Sequence, residues 1–428
     1  MRARAANMDG LHGGLPQQKY GILLAPSFYM TKTHMPIQLS SYRAVLPLAL
    51  IYALRMLGLF LLLPLIALYA EDLAHATPTL MGIAFGVYGL TQALLQIPFG
   101  ALSDRFGRKR LIGLGLLLFI VGSLLCAFAT SIYGLIVGRA LQGAGAISGV
   151  VIALVADLTP EKERTIAMAI IGISIGATFS LAFALSPLIA GWIGVSGLFI
   201  LTAILAFMSL LVLYLWVPSP RTMLMRPVLS GRAMWAICKA PRLLQLDVSI
   251  FLLHMLLAIT FIAVPFVLRD HLGLAIEDQG KLYLPVLFTS FFGLIPLLLL
   301  SRKTGFIQGL FYGAIMLLAL SQLVLCWVLY GASHAYWGVY IGLWLFFVGF
   351  NFLEAQLPAL VSKAAPVEHK GLALGVYSTA QFLGIFVGGG LGGLLLDKIG
   401  LSALFLVGAF ICIIWLICLR GNKDGKRN

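Results

Sequence analysis

The chain has 428 residues, of which 61% are hydrophobic and only 10% charged, with a mean hydropathy of +1.02. Soluble domains carry roughly 25% charged residues, so composition argues against a soluble enzyme. The net charge of +14 does not point to nucleic acid, because 24 of the 29 Lys and Arg fall in the termini and in alternate loops, the positive-inside pattern of a membrane protein with both termini cytoplasmic.

A bilayer core takes about 20 apolar residues per helix, so the chain has room for about twelve. The uninterrupted, Gly-rich apolar runs lack the alternation of a membrane barrel, and backbone in lipid must bond internally, so the spans are predicted to be helices. The fold class is therefore an all-α membrane protein.

Residues 1–42 show no clear span and a poor signal-peptide pattern, and read as a disordered or mis-annotated extension with Met35 as an alternative start. Span 1 is predicted over about 45–69 and carries Arg55 near its middle; span 2 covers about 79–102, where Tyr88, Gln92 and Gln96 recur every four residues and form one polar face. The turn that follows, Gly100-Ala-Leu-Ser-Asp104-Arg105-Phe-Gly107-Arg108-Lys109, packs cations, one Asp and two Gly between two apolar runs. Spans 3 and 4 are predicted over about 111–129 and 133–156. Span 4 contains Gly138-Arg139-Ala-Leu-Gln142-Gly143, an Arg and Gln among small residues suited to close packing, and ends at Asp157. Spans 5 and 6 take about 166–190 and 198–217.

Residues 218–243 are basic and Pro-bearing and read as a linker between halves at 43–217 and 244–420, with a cytoplasmic tail at 421–428. An amphipathic piece at about 234–244 suits a membrane surface. Span 7, about 244–268, carries Asp247 and His254 on similar faces; spans 8–12 fall at about 283–300, 306–330, 336–361, 371–396 and 401–419. Span 10 carries Asn351 and Glu354, three residues apart, and span 11 carries Tyr377 and Gln381.

The halves repeat. Leu154-Val155, Pro160, Arg164 and Ala167 align with Leu360-Val361, Pro366, Lys370 and Ala373 at a constant offset of 206. Pro98 before the charged turn likewise finds Pro296 before Ser301-Arg302-Lys303-Thr304-Gly305, an eroded copy. Six spans plus six in parallel repetition form a transporter architecture.

The charged turn, with Leu54-Arg55-Met56-Leu57-Gly58, Tyr88-Gly-Leu-Thr-Gln-Ala, the span 4 pattern and Gly375-Val-Tyr377-Ser-Thr-Ala-Gln381, resembles the major facilitator superfamily of transporters. Within it the chain is most similar to the drug:proton antiporter group and its YajR-like members. The resemblance implies two six-helix bundles, with Gly100, Asp104, Arg105, Gly107 and Arg108 in a conformational lock whose Arg108 pairs with Asp157. That lock joins the two halves on the cytoplasmic side in the outward-open state. Three departures stand out. Span 5 reads Ser186-Pro187-Leu-Ile-Ala190-Gly191 where antiporters end Gly-Pro-x-x-Gly-Gly, the soluble C-terminal domain of YajR-like members has no counterpart, and the second signature loop has lost its Asp.

A charge at mid-membrane costs at least ~2.5–3.5 kcal/mol, so Glu354, Arg55 and Arg139 are functional candidates by default. Glu354 can exchange a proton, while the Arg residues stay charged and could bind an anion, act on a carboxyl or pair with carbonyls. His254 and Asp247 could extend a proton path, or be a structural hydrogen-bonder and an interfacial cap. Tyr88, Gln92, Gln96, Gln142, Tyr377 and Gln381 suit a cavity for amphipathic solutes or helix packing. The five Cys read as apolar fillers, and no metal cluster, phosphate loop or nucleophile–base pair is present, so neither cofactor, metal nor enzymatic activity is expected. The expectation is a monomeric secondary active transporter of the bacterial inner membrane, a proton-coupled exporter of small amphipathic molecules that works by alternating access. An importer or uniporter on the same fold, or a non-transporting scaffold or receptor, are the alternatives; a scaffold has no use for the buried charges.

Overall fold

The structure, a computed structural model, describes residues 39–218, 231–303, 305–331, 334–366 and 369–424. The expectations for residues 1–38, Thr304, most of the linker (219–230) and the end of the tail lie outside the described residues.

Helix α1 (Leu39–Phe60) breaks at 61–65 and resumes as the short α2 (Ile66–Glu71). Then come α3 (Pro78–Phe106), α4 (Arg108–Ala127), α5 (Ile132–Ala144), α6 (Ser148–Leu158) and α7 (Glu161–Leu215). After the linker follow α8 (Gly231–Lys239), α9 (Pro241–Phe266), a π turn at Val267–His271, a 3-10 turn at Ile276–Asp278 and α10 (Gly280–Ser301). The last helices are α11 (Phe306–Val328), α12 (Ala335–Ala364), α13 (Lys370–Lys398) and α14 (Leu401–Asp424). Local chemistry sets several ends. Thr77 accepts a hydrogen bond from Leu80 N–H with Pro78 at the first helical position of α3, and Ser131 accepts from Gly134 N–H at the start of α5. Gly107 alone joins α3 to α4 at φ 96°, a left-handed backbone that only Gly adopts without strain.

Among the described residues, ten helices are long and apolar enough to cross a membrane. Twelve spans are predicted, and the difference has two sources. The apolar part of α1, Val45–Phe60, is short because the helix breaks at 61–65. Spans 5 and 6 run on as the 55-residue α7, broken only at Gly194 (φ 69°). Helix of that length would extend about 80 Å, against a hydrocarbon core of about 30 Å. The break is what makes α7 compatible with a bilayer. Large apolar side chains stay exposed on the outer surface, among them Trp192, Ile173, Phe128 and Ile417. Water would not tolerate such a belt and lipid does.

Helices α1–α7 pack mainly on one another, and so do α9–α14; the two groups meet along α3 with α13 and α7 with α10. The α3–α13 crossing is set by glycine. A Cβ at Gly86 would lie 2.7 Å from Phe386 O, and one at Gly389 would lie 2.8 Å from Gly86 Cα. These close approaches lie at one end of the pair, with Gly82, Gly86 and Gly89 of α3 against the stretch of α13 from Phe382 to Gly393. Helices α3 and α13 are thus packed tightly at the face opposite the one that carries Asp104.

Candidate functional site

At the Asp104 face, Arg108 opens α4 and its guanidinium forks three ways. Its Nε donates to Asp157 Oδ2 at 2.6 Å, Nη1 to Ser103 Oγ at 2.7 Å, and Nη2 pairs with Asp104 Oδ1 at 2.7 Å. A cation is disfavoured at the positive end of a helix, and Asp157 lies at the negative end of α6, so each offsets the other's unfavourable place. All these partners belong to α3, α4 and α6. Among the described residues these contacts tie helices of the first half together, and a Cβ at Gly100 would meet nothing within 4 Å. Arg105 stacks over Phe106, at 5.4 Å from the ring centroid.

Burial ranks the expected effects of breaking this cluster. Asp104 is 40% exposed, and its pair is worth about 0–1 kcal/mol. Asp157 and Arg108 are 13% and 9% exposed, and hydrogen bonds to charged groups contribute about 1.5–3 kcal/mol. Arg108→Ala and Asp157→Asn should therefore lower the thermal unfolding midpoint distinctly more than Asp104→Asn. Equal losses in a fluorescence melt of the three purified variants would contradict this ranking.

Deeper in the first half, Arg55 and Arg139 lie in a sealed polar network. Arg55 Nη2 donates to Gly145 O and Gln92 Oε1, both at 3.0 Å, and to the Tyr88 hydroxyl at 3.3 Å, while Nη1 reaches Ser148 Oγ at 3.3 Å. Gly145 sits where α5 stops and α6 has not begun, and helix ends leave carbonyls without intrahelical partners. Gly145 O accepts from Ile147 N–H at 2.8 Å, and Arg55 adds a second donor. Arg139 Nη1 donates to Gln142 Oε1 at 2.8 Å, Gln142 Nε2 donates to Ser123 Oγ, and the Arg139 guanidinium stacks on Tyr88 at 4.9 Å. Arg55, Arg139, Tyr88, Gln92 and Gln142 are all buried, and Gln96, one turn further on, is buried toward Gly149. The predicted polar face of α3 is present, but it closes on the two cations instead of lining an open space.

The second half holds a separate, acidic cluster on α9, α12 and α13. Gln381 Nε2 donates to Glu354 Oε1 at 3.3 Å and contacts His254 Nε2 at 2.8 Å, and His254 Nε2 is 3.9 Å from Glu354 Oε2. One amide nitrogen of Gln381 thus bridges His254 and Glu354. Tyr377 lies within electrostatic range of both Glu354 and Asp247, and Asn351 lies one turn before Glu354, half-buried. Four buried atoms here have no hydrogen-bond partner among the described residues: Glu354 Oε2, His254 Nδ1, Tyr377 Oη and Asp247 Oδ1. Glu354 is about ten residues from the end of α12, roughly 15 Å deep. Its side chain still keeps 37% of its accessible surface.

Of the three roles the sequence left open to Arg55 and Arg139, binding an anion, acting on a carboxyl or pairing with carbonyls, the described contacts include the last: Arg55 donates to Gly145 O and Arg139 to Ala84 O. No hydrogen bond or ion pair among the described residues joins either Arg to Glu354; their bonded donors go to neutral partners in the first half, and Arg55 Nε is buried without a partner among the described residues. Helical spacing identifies a face but not what lies across from it. Sequence reasoning also missed an aromatic wall between the halves. Phe179 stacks on Phe350 at 6.0 Å, Phe183 meets Phe261 at 4.8 Å, and Phe350 lies 5.6 Å from the His254 ring. Phenylalanine in an apolar span carries no signal that separates it from ordinary lipid-facing residues. Among the described residues no group of His, Cys, Asp and Glu could hold a metal.

Comparison with known proteins agrees with this architecture. The inner membrane transport protein YajR of Escherichia coli is 42% identical over 385 residues, covering 89% of this chain and 84% of that protein. The quinolone resistance protein NorA of Staphylococcus aureus is 24% identical over 352 residues, 80% of this chain and 87% of that one. Among solved structures, the nucleoside transporter NupG superposes with a TM-score of 0.68 at 12% identity, covering 88% of this chain and 98% of that chain, which speaks for the fold alone. The description Major Facilitator Superfamily matches residues 48–389 and, in a second overlapping match, 248–427. This chain belongs to the Major Facilitator Superfamily.

Proposed function

We propose that this transporter couples proton movement to the efflux of small amphipathic molecules by rocking two six-helix halves, 43–217 and 244–420, about a central cavity. The chain is a multi-pass protein of the bacterial inner membrane. With the basic loops, the Asp104 face and both termini cytoplasmic, the tight glycine packing of α3 on α13 lies at the opposite face, which suits a cytoplasm-open arrangement. Twelve crossings follow when α1–α2 and the two arms of α7 each count as spans.

The observation that carries the reading is Glu354. It is a partly exposed carboxyl deep in its span, with one buried oxygen lacking a hydrogen-bond donor among the described residues and the other held by Gln381. A carboxyl kept there at such cost suits proton exchange.

A second reading, an importer or uniporter, is motivated by span 5. Ser186 stands where antiporters have Gly, and its hydroxyl donates to Leu61 O at the break in α1, tying α7 to the irregular segment of the first half. Purified protein in proteoliposomes, given an imposed pH gradient and a panel of amphipathic cations, anions and neutral compounds, separates the two. Flux against a gradient only when protons run the other way supports coupling. Flux that ignores the pH gradient supports the uniporter and removes the proton from the mechanism.

A further inference from the structure

At the face opposite Asp104, the halves meet through polar contacts that proton exchange at Glu354 does not use. Arg269 Nη1 donates to Glu71 Oε2 at 2.5 Å and Nη2 to Glu71 Oε1 at 3.4 Å, so an Arg of the second half grips a carboxylate of the first. Thr79 Oγ1 donates to Asp397 Oδ2 at 3.0 Å, a second bridge between the halves. We propose that Glu71 and Arg269, assisted by Thr79 and Asp397, form a releasable latch that holds this face shut. The proposal rests on the alternating-access reading above.

Three features argue for a latch instead of an incidental surface pair. The first is placement on irregular backbone. Glu71 ends α2, the six-residue helix that follows the break in α1, and Arg269 sits in the π turn that ends α9. Such turns interrupt helices frequently at functional positions. The second is charge distribution. This face carries three cations among its described residues, Arg269, Lys281 and Lys398, and the two Lys pair within their own half, with Asp278 and Asp397. Arg269 alone reaches across.

The third feature is that Arg269 is held from both sides. Its Nε donates to Asp270 Oδ1 at 2.6 Å and Nη2 to Asp270 Oδ2 at 3.3 Å. When the halves part, Arg269 keeps Asp270 as partner and Glu71 passes to water, so neither charge is stranded. Both are substantially exposed, 39% and 43%, which keeps the pair weak enough to release in each cycle. A buried pair would hold the face shut.

The test needs no substrate. In the full chain carrying Cys238→Ser and Cys418→Ser, spin labels at Phe128→Cys and Ile399→Cys report the separation of the halves at this face by pulsed electron resonance in phosphatidylglycerol–phosphatidylethanolamine vesicles. Glu71→Gln and Arg269→Gln should each raise the ratio of long to short distances by about 1.5- to 5-fold, as for an exposed ion pair. The reversed pair, Glu71→Arg with Arg269→Glu, should restore the parent ratio, and Lys281→Gln should leave it unchanged. Two distance populations in the parent that neither Gln variant shifts would overturn the latch and leave alternating access standing. A single distance in every variant and at every pH would overturn both.

Discussion

Glu354→Gln is expected to abolish pH-driven accumulation while sparing energy-independent exchange. Gln matches the protonated carboxyl in volume and can still bond to Gln381, so the cavity keeps its shape and loses its titrating group. A proton crossing 100 mV releases ~2.3 kcal/mol, enough for about 50-fold accumulation of a coupled solute. The variant should fall from that range to equilibration, with counterflow within about twofold of the parent. Both are measured in the same vesicles across external pH. If the Gln variant still accumulates substrate under a pH gradient, Glu354 is not on the proton path, and His254 and Asp247 become the carriers to test. The neighbours sharpen the experiment. His254→Gln removes a titrating ring 3.9 Å from Glu354 but leaves the carboxyl, so a role confined to positioning Glu354 should change the pH midpoint without removing accumulation.

The charged turn was the most legible part of the chain. Four cations with one Asp and two Gly at fixed spacing leave few alternatives, and Gly107 takes the left-handed turn while Arg108 reaches Asp157. The bounds of α4 and α13 were readable to within about three residues, because caps and polar breaks coincide with the ends of apolar runs. The break between α5 and α6 was not readable. Gly145 and Ile147 look like part of a continuous span; what stabilises the interruption is Arg55, which is 90 residues away in sequence. The break in α1 has a similar cause, since Leu61 O accepts from Ser186. Amphipathic periodicity does not encode such long-range hydrogen bonds. For the same reason the sequence named Arg55, Arg139, His254 and Glu354 as buried polar residues without revealing that they divide between two clusters. The contact of Glu71 with Arg269 had no sequence signal at all, because both residues sit in loop-like stretches where charge is unremarkable.

Gly82→Val is expected to have the second large effect, by preventing α3 and α13 from closing. A Cβ at Gly82 would meet Gly393 Cα at 2.7 Å and also press on the Gly389 carbonyl. Those are backbone atoms of a facing helix and cannot rotate away, so the halves must separate at this face. Overpacking of this kind costs about 1–3 kcal/mol, which shifts a two-state equilibrium by about 5- to 150-fold. The clash exists only where the halves touch. Each half can therefore fold, and the strain is relieved by opening the face opposite Asp104. The same spin-label pair should show the long distance dominating, and transport should fall by about tenfold or more as the closed arrangement becomes scarce. Gly82→Ala should give a smaller shift in the same direction. Gly390→Val is the internal control, since it lies beside Gly389 on the same helix but a Cβ there meets nothing within 4 Å. Should Gly390→Val impair transport as much as Gly82→Val, the cost would come from placing a branched residue in α13 and not from the α3–α13 contact. If Gly82→Val cycles normally, closure of this face does not depend on glycine packing, and the polar bridges of Arg269 and Asp397 would have to carry it alone.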